Sequence, residues 1–377
     1  MSLLGMLTSP RSMIFMLFLI SFTIWLIVKK NEIEYSDRYN SVDVIVPAYN
    51  EEITISKTVC DLVENKYIDK IIVVDDGSND RTIEVLKQLK SLYNEKLLII
   101  SQSNTGKAGA INNGLNFIES DMVFLTDADI RIPNDNGLGY LIKAIENGAD
   151  AVAGIPGSDL NNIRFFGKVR ASVKIFFATF RKCGGEIISG HTFCVSGSVG
   201  MYKTHILKSV KFPDRTCVED MDLTWELISR GYKIAQSSKA IVFSQEAATL
   251  GDDIKRWRRW ISGYAACMRI HKKLLLKRFG LTAILPNFII GIFGIILFFI
   301  PFTWGYINVL KGTAIWFIIL MFASGYSAYR ESKKWWLMIY SPFSIFTIIL
   351  VFFCWMFWGL PTLITGNEQS WIKVKRY

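Results

Sequence analysis

Ile71-Ile72-Val73-Val74-Asp75-Asp76-Gly77-Ser78 is the stretch on which the fold turns. Its apolar, mostly β-branched run lacks polar alternation, as expected of a strand buried on both faces. Two acids and a glycine then end it. The pattern recurs on either side. Upstream, Val42–Pro47 is a β-branched run closing at a proline and followed by Ala48-Tyr49-Asn50-Glu51-Glu52. Downstream, Met122–Leu125 ends at Thr126-Asp127-Ala128-Asp129. Between them, Glu51–Asn65 has helical spacing through Ile55, Val59, Leu62 and Val63. Thr82–Leu92 and Lys107–Ile118 are further helices, and Leu97–Ile100 is another strand. This alternation predicts an α/β domain on a mainly parallel, Rossmann-like sheet covered on both faces. Ligands bind such sheets beyond the carboxyl ends of the strands, where the unusual polar residues fall.

The whole chain is more apolar than an ordinary soluble enzyme: 51% of its 377 residues are hydrophobic and mean hydropathy is +0.28. Lys and Arg exceed Asp and Glu by 43 − 33 = 10. A basic excess beside long apolar runs favours an anionic bilayer surface as partner, and no motif supports nucleic acid. The six cysteines form no CxxC pair and the three histidines are scattered, which predicts free thiols and argues against zinc.

The organisation follows from these runs. Residues 1–40 hold an uncharged stretch, Ser12–Val28, followed by Lys29-Lys30. It reads as an uncleaved membrane helix whose C-terminal end is cytoplasmic. Residues 41–250 are the α/β domain. Residues 251–280 are basic but interleaved with Trp257, Trp260, Ile261, Tyr264, Met268 and Ile270, a mixture suited to amphipathic helices in the headgroup plane. In 281–377, Phe279–Leu310, Gly312–Tyr329 and Trp335–Asn367 are each long enough to span. Three spans put the basic tail (Lys373, Lys375, Arg376) outside, against the positive-inside rule, unless 335–367 contains a re-entrant piece.

Asp127 and Asp129 carry the strongest chemical signal. Two carboxylates brought together after an apolar strand repel one another and need a cation. Hard oxygen ligands favour Mg²⁺ or Mn²⁺, completed by substrate phosphates. Lys107, in Asn104-Thr105-Gly106-Lys107, opens a helix and can meet phosphate there. Glu219-Asp220 opens Met221–Leu227. The pair suits the helix dipole, and one carboxylate can also serve as general base. Arg256-Trp257-Arg258-Arg259-Trp260 either neutralises phosphate and stacks on sugar or anchors the chain at a membrane surface.

Together these elements resemble the family 2 inverting glycosyltransferases with the GT-A fold, and especially membrane synthases of poly-N-acetylglucosamine, hyaluronan and cellulose type. The likeness covers roughly residues 41–262. It rests on Val46–Glu52, Val74–Ser78, Asn104–Ala108, Asp127–Asp129, Val218–Asp220 and Arg259-Trp260. Trp371-Ile372-Lys373 with Arg376 resembles that family's tail. Two of its motifs depart: Arg256-Trp257 stand where Gln and then Gln or Arg are usual, and Val218 stands where Thr is usual.

The resemblance implies roles. Pro47, Tyr49, Glu51 and Asp76 hold the nucleoside, and Lys107 steadies the donor. Asp127 and Asp129 hold the metal and diphosphate. Asp220, beside Glu219, is the base. Arg259 and Trp260 close over the site, and Ser196-Gly197 line the acceptor. It further implies a UDP-sugar donor, UDP-N-acetylglucosamine first, a polysaccharide or lipid-linked acceptor, an integral membrane enzyme with its catalytic domain in the cytoplasm, and room for a small accessory membrane subunit. Three other readings stand beside it: single-sugar transfer to a lipid, a catalytically dead nucleotide-binding receptor, and a transporter. The C-terminal apolar runs carry no ionisable residue, which speaks against the last.

Overall fold

The computed structural model describes residues 34–299, 318, 320–330 and 334–368. The expected span at 12–28, the Lys311 loop and the tail from Trp371 lie outside these residues.

The sheet is built from β1 (Val42–Ala48), β2 (Ile68–Asp75), β3 (Leu97–Ser101), β4 (Met122–Leu125), β5 (Ile130–Arg131), β6 (Ala151–Ser158), β7 (Gly200–Lys203) and β8 (Ile234–Ser244), in the order β3-β2-β1-β4-β7-β6-β8-β5. The first four strands are parallel, as the apolar runs predicted. Beyond them the sheet is mixed. Strand β7 runs against both β4 and β6, and the short β5 runs against β8. Helices α1 (Ile55–Glu64), α2 (Thr82–Leu92) and α4 (Gly137–Glu146) accompany one face. Helices α3 (Gly106–Gly114), α6 (Thr204–Val210) and α7 (Glu219–Ser229) cover the other.

Strand alternation explains why β1 and β2 are apolar throughout. Val44, Val46, Ile71 and Val73 enter the core under α1 and α2, while Ile45, Ile72 and Val74 enter the core under α3. Gly114 is needed for the second: a β-carbon there would lie 2.9 Å from Ile45 and 3.2 Å from Val74. Helix α3 therefore tightens after Gly114 into a 3₁₀ turn, Leu115–Phe117, short of the expected end at Ile118. Helix α1 begins at Ile55 rather than Glu51, because Asn50 takes a left-handed conformation (φ 54°) and Glu51–Thr54 form a turn.

Helix α5 (Phe165–Ser189) and helix α8 (Leu250–Ile270) join the domain to the C-terminal helices. Within 251–280, helix α8 is packed into the fold along one face. Ile261, Tyr264, Ala265, Cys267 and Met268 are buried against α7 and the C-terminal segment, so packing alone accounts for them. Trp257 and Trp260 meet edge to face at 5.4 Å, and the Arg170 guanidinium lies over Trp260 at 4.8 Å. The same stack adjoins a buried ion cluster. Glu246 is wholly enclosed and binds Arg170 (3.1 Å), Lys174 (2.6 Å) and Arg256 (2.9 Å). Arg256, the first departure from the family motif, is thus a structural ion of this cluster. Val218, the other departure, packs where Gly263 leaves room for it: a β-carbon on Gly263 would come within 2.5 Å of its methyl.

After helix α9 (Lys272–Leu275), a π-turn at Gly280–Ile284 leads into α10 (Leu285–Phe299). Residues 335–365 form one continuous helical run: a 3₁₀ stretch across Pro342 (Trp335–Ser344), α11 (Ile345–Cys354), a π-turn (Trp355–Gly359) and α12 (Leu360–Thr365). Among the described residues this is the one helix long and apolar enough to cross a membrane; Gly280–Phe293 is apolar but shorter. Trp355 keys the bundle. Its ring occupies space that β-carbons at Gly291 and Gly359 would take, and it meets Tyr264 of α8 at 5.5 Å.

Burial opposes ionisation of Glu246, but Lys174, Arg170 and Arg256 outweigh it and hold the carboxyl well below its usual range. Glu246→Gln leaves three cations without their shared counter-charge. It should lower unfolding stability by about 3–5 kcal/mol, the scale for breaking a buried pair, read from thermal denaturation in detergent. The depressed carboxyl contributes stability above about pH 4.3 and loses it as acid takes the pH down through the folded value. The variant should therefore lack that acid-labile part.

Candidate active site

The ends of β1 and β2 lie side by side, Ala48 opposite Asp75. The Asp76 amide donates to the Ala48 carbonyl at 2.8 Å. The Asn50 amide donates to Ser78 Oγ (2.9 Å), the Asn79 amide donates to Asn50 Oδ1 (2.7 Å), and the Glu51 amide donates to Thr82 Oγ1 (2.8 Å). The segment carrying Pro47, Tyr49 and Glu51 is thereby laced to the loop after β2, with Pro47 and Tyr49 half-buried at its edge. Glu51 also accepts the Thr54 hydroxyl at 2.8 Å.

Asp76 is buried and fixes the next element. Its Oδ1 accepts from Gln102 Nε2 (2.8 Å), the Thr105 amide (2.8 Å) and the Thr105 hydroxyl (3.3 Å). Thr105 precedes Gly106, whose φ of 80° turns the chain into α3 and delivers Lys107. Asp75, not singled out in the sequence as a site residue, is buried beside it, and its Oδ1 has no hydrogen-bond partner among the described residues.

Lys107 is the centre of the site. Its ammonium lies 2.5 Å from Asp127 Oδ1 and 3.1 Å from Glu219 Oε1. A β-carbon on Gly197 would fall 2.6 Å from the same nitrogen, so a larger residue there would displace the lysine side chain. The Gly197 amide donates to Asp220 Oδ2 (2.9 Å), and the Met221 amide donates to Asp220 Oδ1 (2.8 Å). Residues from β4's end, α3, the loop before β7 and the start of α7 thus meet around one nitrogen. Burial opposes the charge on Lys107, but Asp127, Glu219 and Asp220 hold its pKa well above the usual lysine range. Burial raises the Glu219 carboxyl, Asp220 adds to that, and Lys107 and Arg259 only partly offset it.

Three carboxylates facing one ammonium leave excess negative charge, which favours a further cation. Asp127 and the buried Asp129 both follow β4. Among the described residues no three His, Cys, Asp or Glu side chains gather as a metal cage. The pair instead fits the habit of Mg²⁺ and Mn²⁺: one or two carboxylates, with phosphate oxygens completing the shell.

Of the other expected residues, Ser196 contacts Ser198 (Oγ to Oγ 2.9 Å) in the loop that carries Gly197. Arg259 lies near enough to lower Glu219, and its carbonyl accepts the Cys217 thiol at 3.3 Å. Trp260 faces Arg170 and Trp257, in the stack beside Glu246. Reading the sequence missed Lys182 on α5, because its helix gave no motif and only its packing buries the ammonium where Asp220 influences it.

Residues 43–208 match the family described as glycosyl transferase family 2. An uncharacterized glycosyltransferase, YaiP, of Escherichia coli K12 is 37% identical over 352 residues, 91% of this chain and 88% of that protein. Poly-beta-1,6-N-acetyl-D-glucosamine synthase of Staphylococcus aureus is 29% identical over 264 residues, 68% of this chain and 63% of its own length. A mannosyltransferase from Pyrobaculum calidifontis, solved with GDP-Man and Mn²⁺, superposes with a TM-score of 0.60 at 17% identity, over 93% of this chain and 95% of that one. At that identity the likeness speaks for the fold, which is GT-A-like. The family match within the sheet, together with the relative that extends along nearly the whole chain, leads to one conclusion: the protein is an enzyme of glycosyl transferase family 2.

Proposed function

We propose that the chain transfers a sugar, N-acetylglucosamine first, from a UDP-sugar to a glycan or lipid-linked acceptor at a membrane, inverting the anomeric centre to form a β-glycosidic bond. The observation carrying this reading is the contact of Lys107 with both Asp127 and Glu219, beside the Gly197–Asp220 hydrogen bond. It brings a phosphate-attracting cation and a base to one point at the strand ends. The poly-N-acetylglucosamine synthase among the relatives supports the choice of sugar.

Asp76, Pro47, Tyr49 and Glu51 border the place for the nucleoside. The diphosphate lies toward Lys107, which exchanges Asp127 for phosphate oxygens as the donor enters, and Arg259 adds a second positive charge. Asp127 and Asp129 would hold the divalent cation, which when bound supplies Lewis-acid neutralisation of the leaving group. Asp220 is fixed by two backbone amides and keeps lone pairs free for an acceptor proton. The acceptor hydroxyl passes its proton to Asp220 and bonds to the anomeric carbon, and the bond from that carbon to the diphosphate oxygen breaks. One displacement on the opposite face turns an α-linked donor into a β-linked product. Ser196 and Gly197 line the acceptor side, and Gly197 permits the close approach. The apolar run Trp335–Thr365 supports a membrane setting.

Two measurements test this. Asp220→Asn should bind UDP nearly as the parent does in calorimetry yet turn over at least ~100-fold more slowly, the scale of acid–base catalysis; parental turnover would remove Asp220 from the role of base. EDTA should abolish transfer of radiolabelled sugar and Mg²⁺ or Mn²⁺ should restore it. Full activity in excess chelator would discard the metal pair.

A further inference from the structure

The helical run Trp335–Thr365 is long and apolar enough to cross a bilayer, yet both of its ends rest on the catalytic domain. Its 31 residues, at about 1.5 Å each in α-helix and about 2.0 Å in the 3₁₀ stretch, extend roughly 50 Å. A hydrocarbon core is about 30 Å thick, so a crossing helix of that length has its ends on opposite sides. Here the first turns lie on the start of α5. Phe343 meets Phe165 at 5.4 Å, and the Lys168 ammonium stands over Trp336 and Tyr340, each at 5.5 Å. Lys168 is two residues from Arg170, which binds Glu246 and Asp253. The last turn lies on α8 and the catalytic loop. Arg269 donates to the Leu363 carbonyl (2.7 Å) and the Ile364 carbonyl (3.0 Å), and Glu368, just beyond the run, accepts the Cys217 amide at 2.9 Å.

Between its ends the run follows α8. Helix α11, the π-turn and α12 all pack on it. Trp355 meets Tyr264 at 5.5 Å, and the Arg258 guanidinium lies over Trp358 at 5.6 Å. Helix α8 carries Asp252, Asp253, Lys255, Arg256, Arg258 and Arg259, charges that keep a helix out of hydrocarbon. A run laid along it shares its level. The other side of the run is bare. Ile339, Phe343, Phe346, Phe353, Phe357 and Ile364 recur three, four or seven residues apart and are 41% to 76% exposed, whereas Leu337, Cys354, Trp355 and Thr362 are buried. Beside its C-terminal end, α9 follows closely on Arg269, with Lys272, Lys273 and Lys277 exposed around an 82% exposed Leu276. An apolar stripe bordered by cations and indole rings suits the boundary between anionic headgroups and acyl chains.

We propose that Trp335–Thr365 does not cross the membrane but lies along the catalytic domain, its bare stripe sunk into one leaflet whose anionic headgroups the neighbouring lysines meet. The partner of this face is the lipid surface itself. The chain beyond Glu368 then sets out from the catalytic side, which removes the conflict between three spans and a basic tail. The inference is independent of which sugar is transferred and to what.

The test adds one cysteine at a time to the full-length chain carrying Cys60→Ser and Cys217→Ser, the two half-buried native thiols. Lys334→Cys precedes the run, Asn367→Cys follows it and Glu95→Cys marks the catalytic domain, all at exposed positions. A charged, membrane-impermeant maleimide is applied to sealed inverted and right-side-out vesicles, and labelling is read by peptide mass spectrometry. All three positions should react in the same preparation and be protected in the other. Positions 334 and 367 reacting from opposite sides overturns the proposal. So does either of them staying protected in both preparations while position 95 reacts, since that end would then lie within the bilayer. Nitroxides placed singly at Ile339, Phe346, Phe353 and Phe357 are read by oxygen and nickel-complex relaxation in phosphatidylcholine–phosphatidylglycerol nanodiscs. They should report one shallow depth, about 5–10 Å below the headgroups. A depth that climbs along the run to the bilayer centre, about 15 Å down, overturns the proposal in favour of a crossing helix. Spin–spin broadening between copies also overturns it, because a second chain and not lipid would then cover the stripe. Should one nitroxide variant fail to fold, the other three decide.

Discussion

Carboxylates repel, and this fold holds several of them together at the end of one sheet. Asp127 follows β4, and Glu219 and Asp220 open α7. Lys107 at the start of α3 is the cation that makes their proximity tolerable. One ammonium sits among three acids, and Arg259 acts on Glu219 and Lys182 on Asp220 from farther off. The surrounding backbone serves this point. Asp76 ties down the turn that delivers Lys107, and a β-carbon on Gly197 would crowd the lysine nitrogen.

A second charge cluster performs a different task with the opposite balance. Glu246 is enclosed by Arg170, Lys174 and Arg256, so cations outnumber acids, and Asp253 accepts a further bond from Arg170 at 2.9 Å. It knits β8, α5 and α8 where the domain meets the C-terminal helices. Trp257 and Trp260 sheathe it, and their rings are engaged by Arg170. A motif read from the sequence as sugar stacking or membrane anchoring thus divides in two. Arg259 lies within electrostatic reach of Glu219, while Arg256 pairs with Glu246 and Trp260 stacks under Arg170.

The joint also links the apolar segment to the catalytic loop. Trp355 seats against Gly291 and Gly359, Ser262 and Thr362 approach through their hydroxyls at 2.9 Å, and Glu368 accepts the Cys217 amide at 2.9 Å, two residues before Glu219. Helices placed after the domain in sequence therefore help set the position of the residue pair that opens α7.

Unbroken apolar runs were sufficient to forecast parallel strands β1 to β4, because a strand without polar alternation must be covered on both sides. The ends of those runs drew attention to Asp76 and Asp127, while Lys107 and the Glu219-Asp220 pair stood out at helix starts. Strand β7 reversed, the late start of α1 and the burial of α8 were not legible, because each depends on which surface arrives opposite. Nor was the burial of Lys182: a basic residue inside an amphipathic helix looks solvated until the helix is docked. Local patterning determined the strands and the acids. Only long-range packing decided which charges share a cleft, because proximity between residues a hundred positions apart is a property of the folded chain and of nothing shorter.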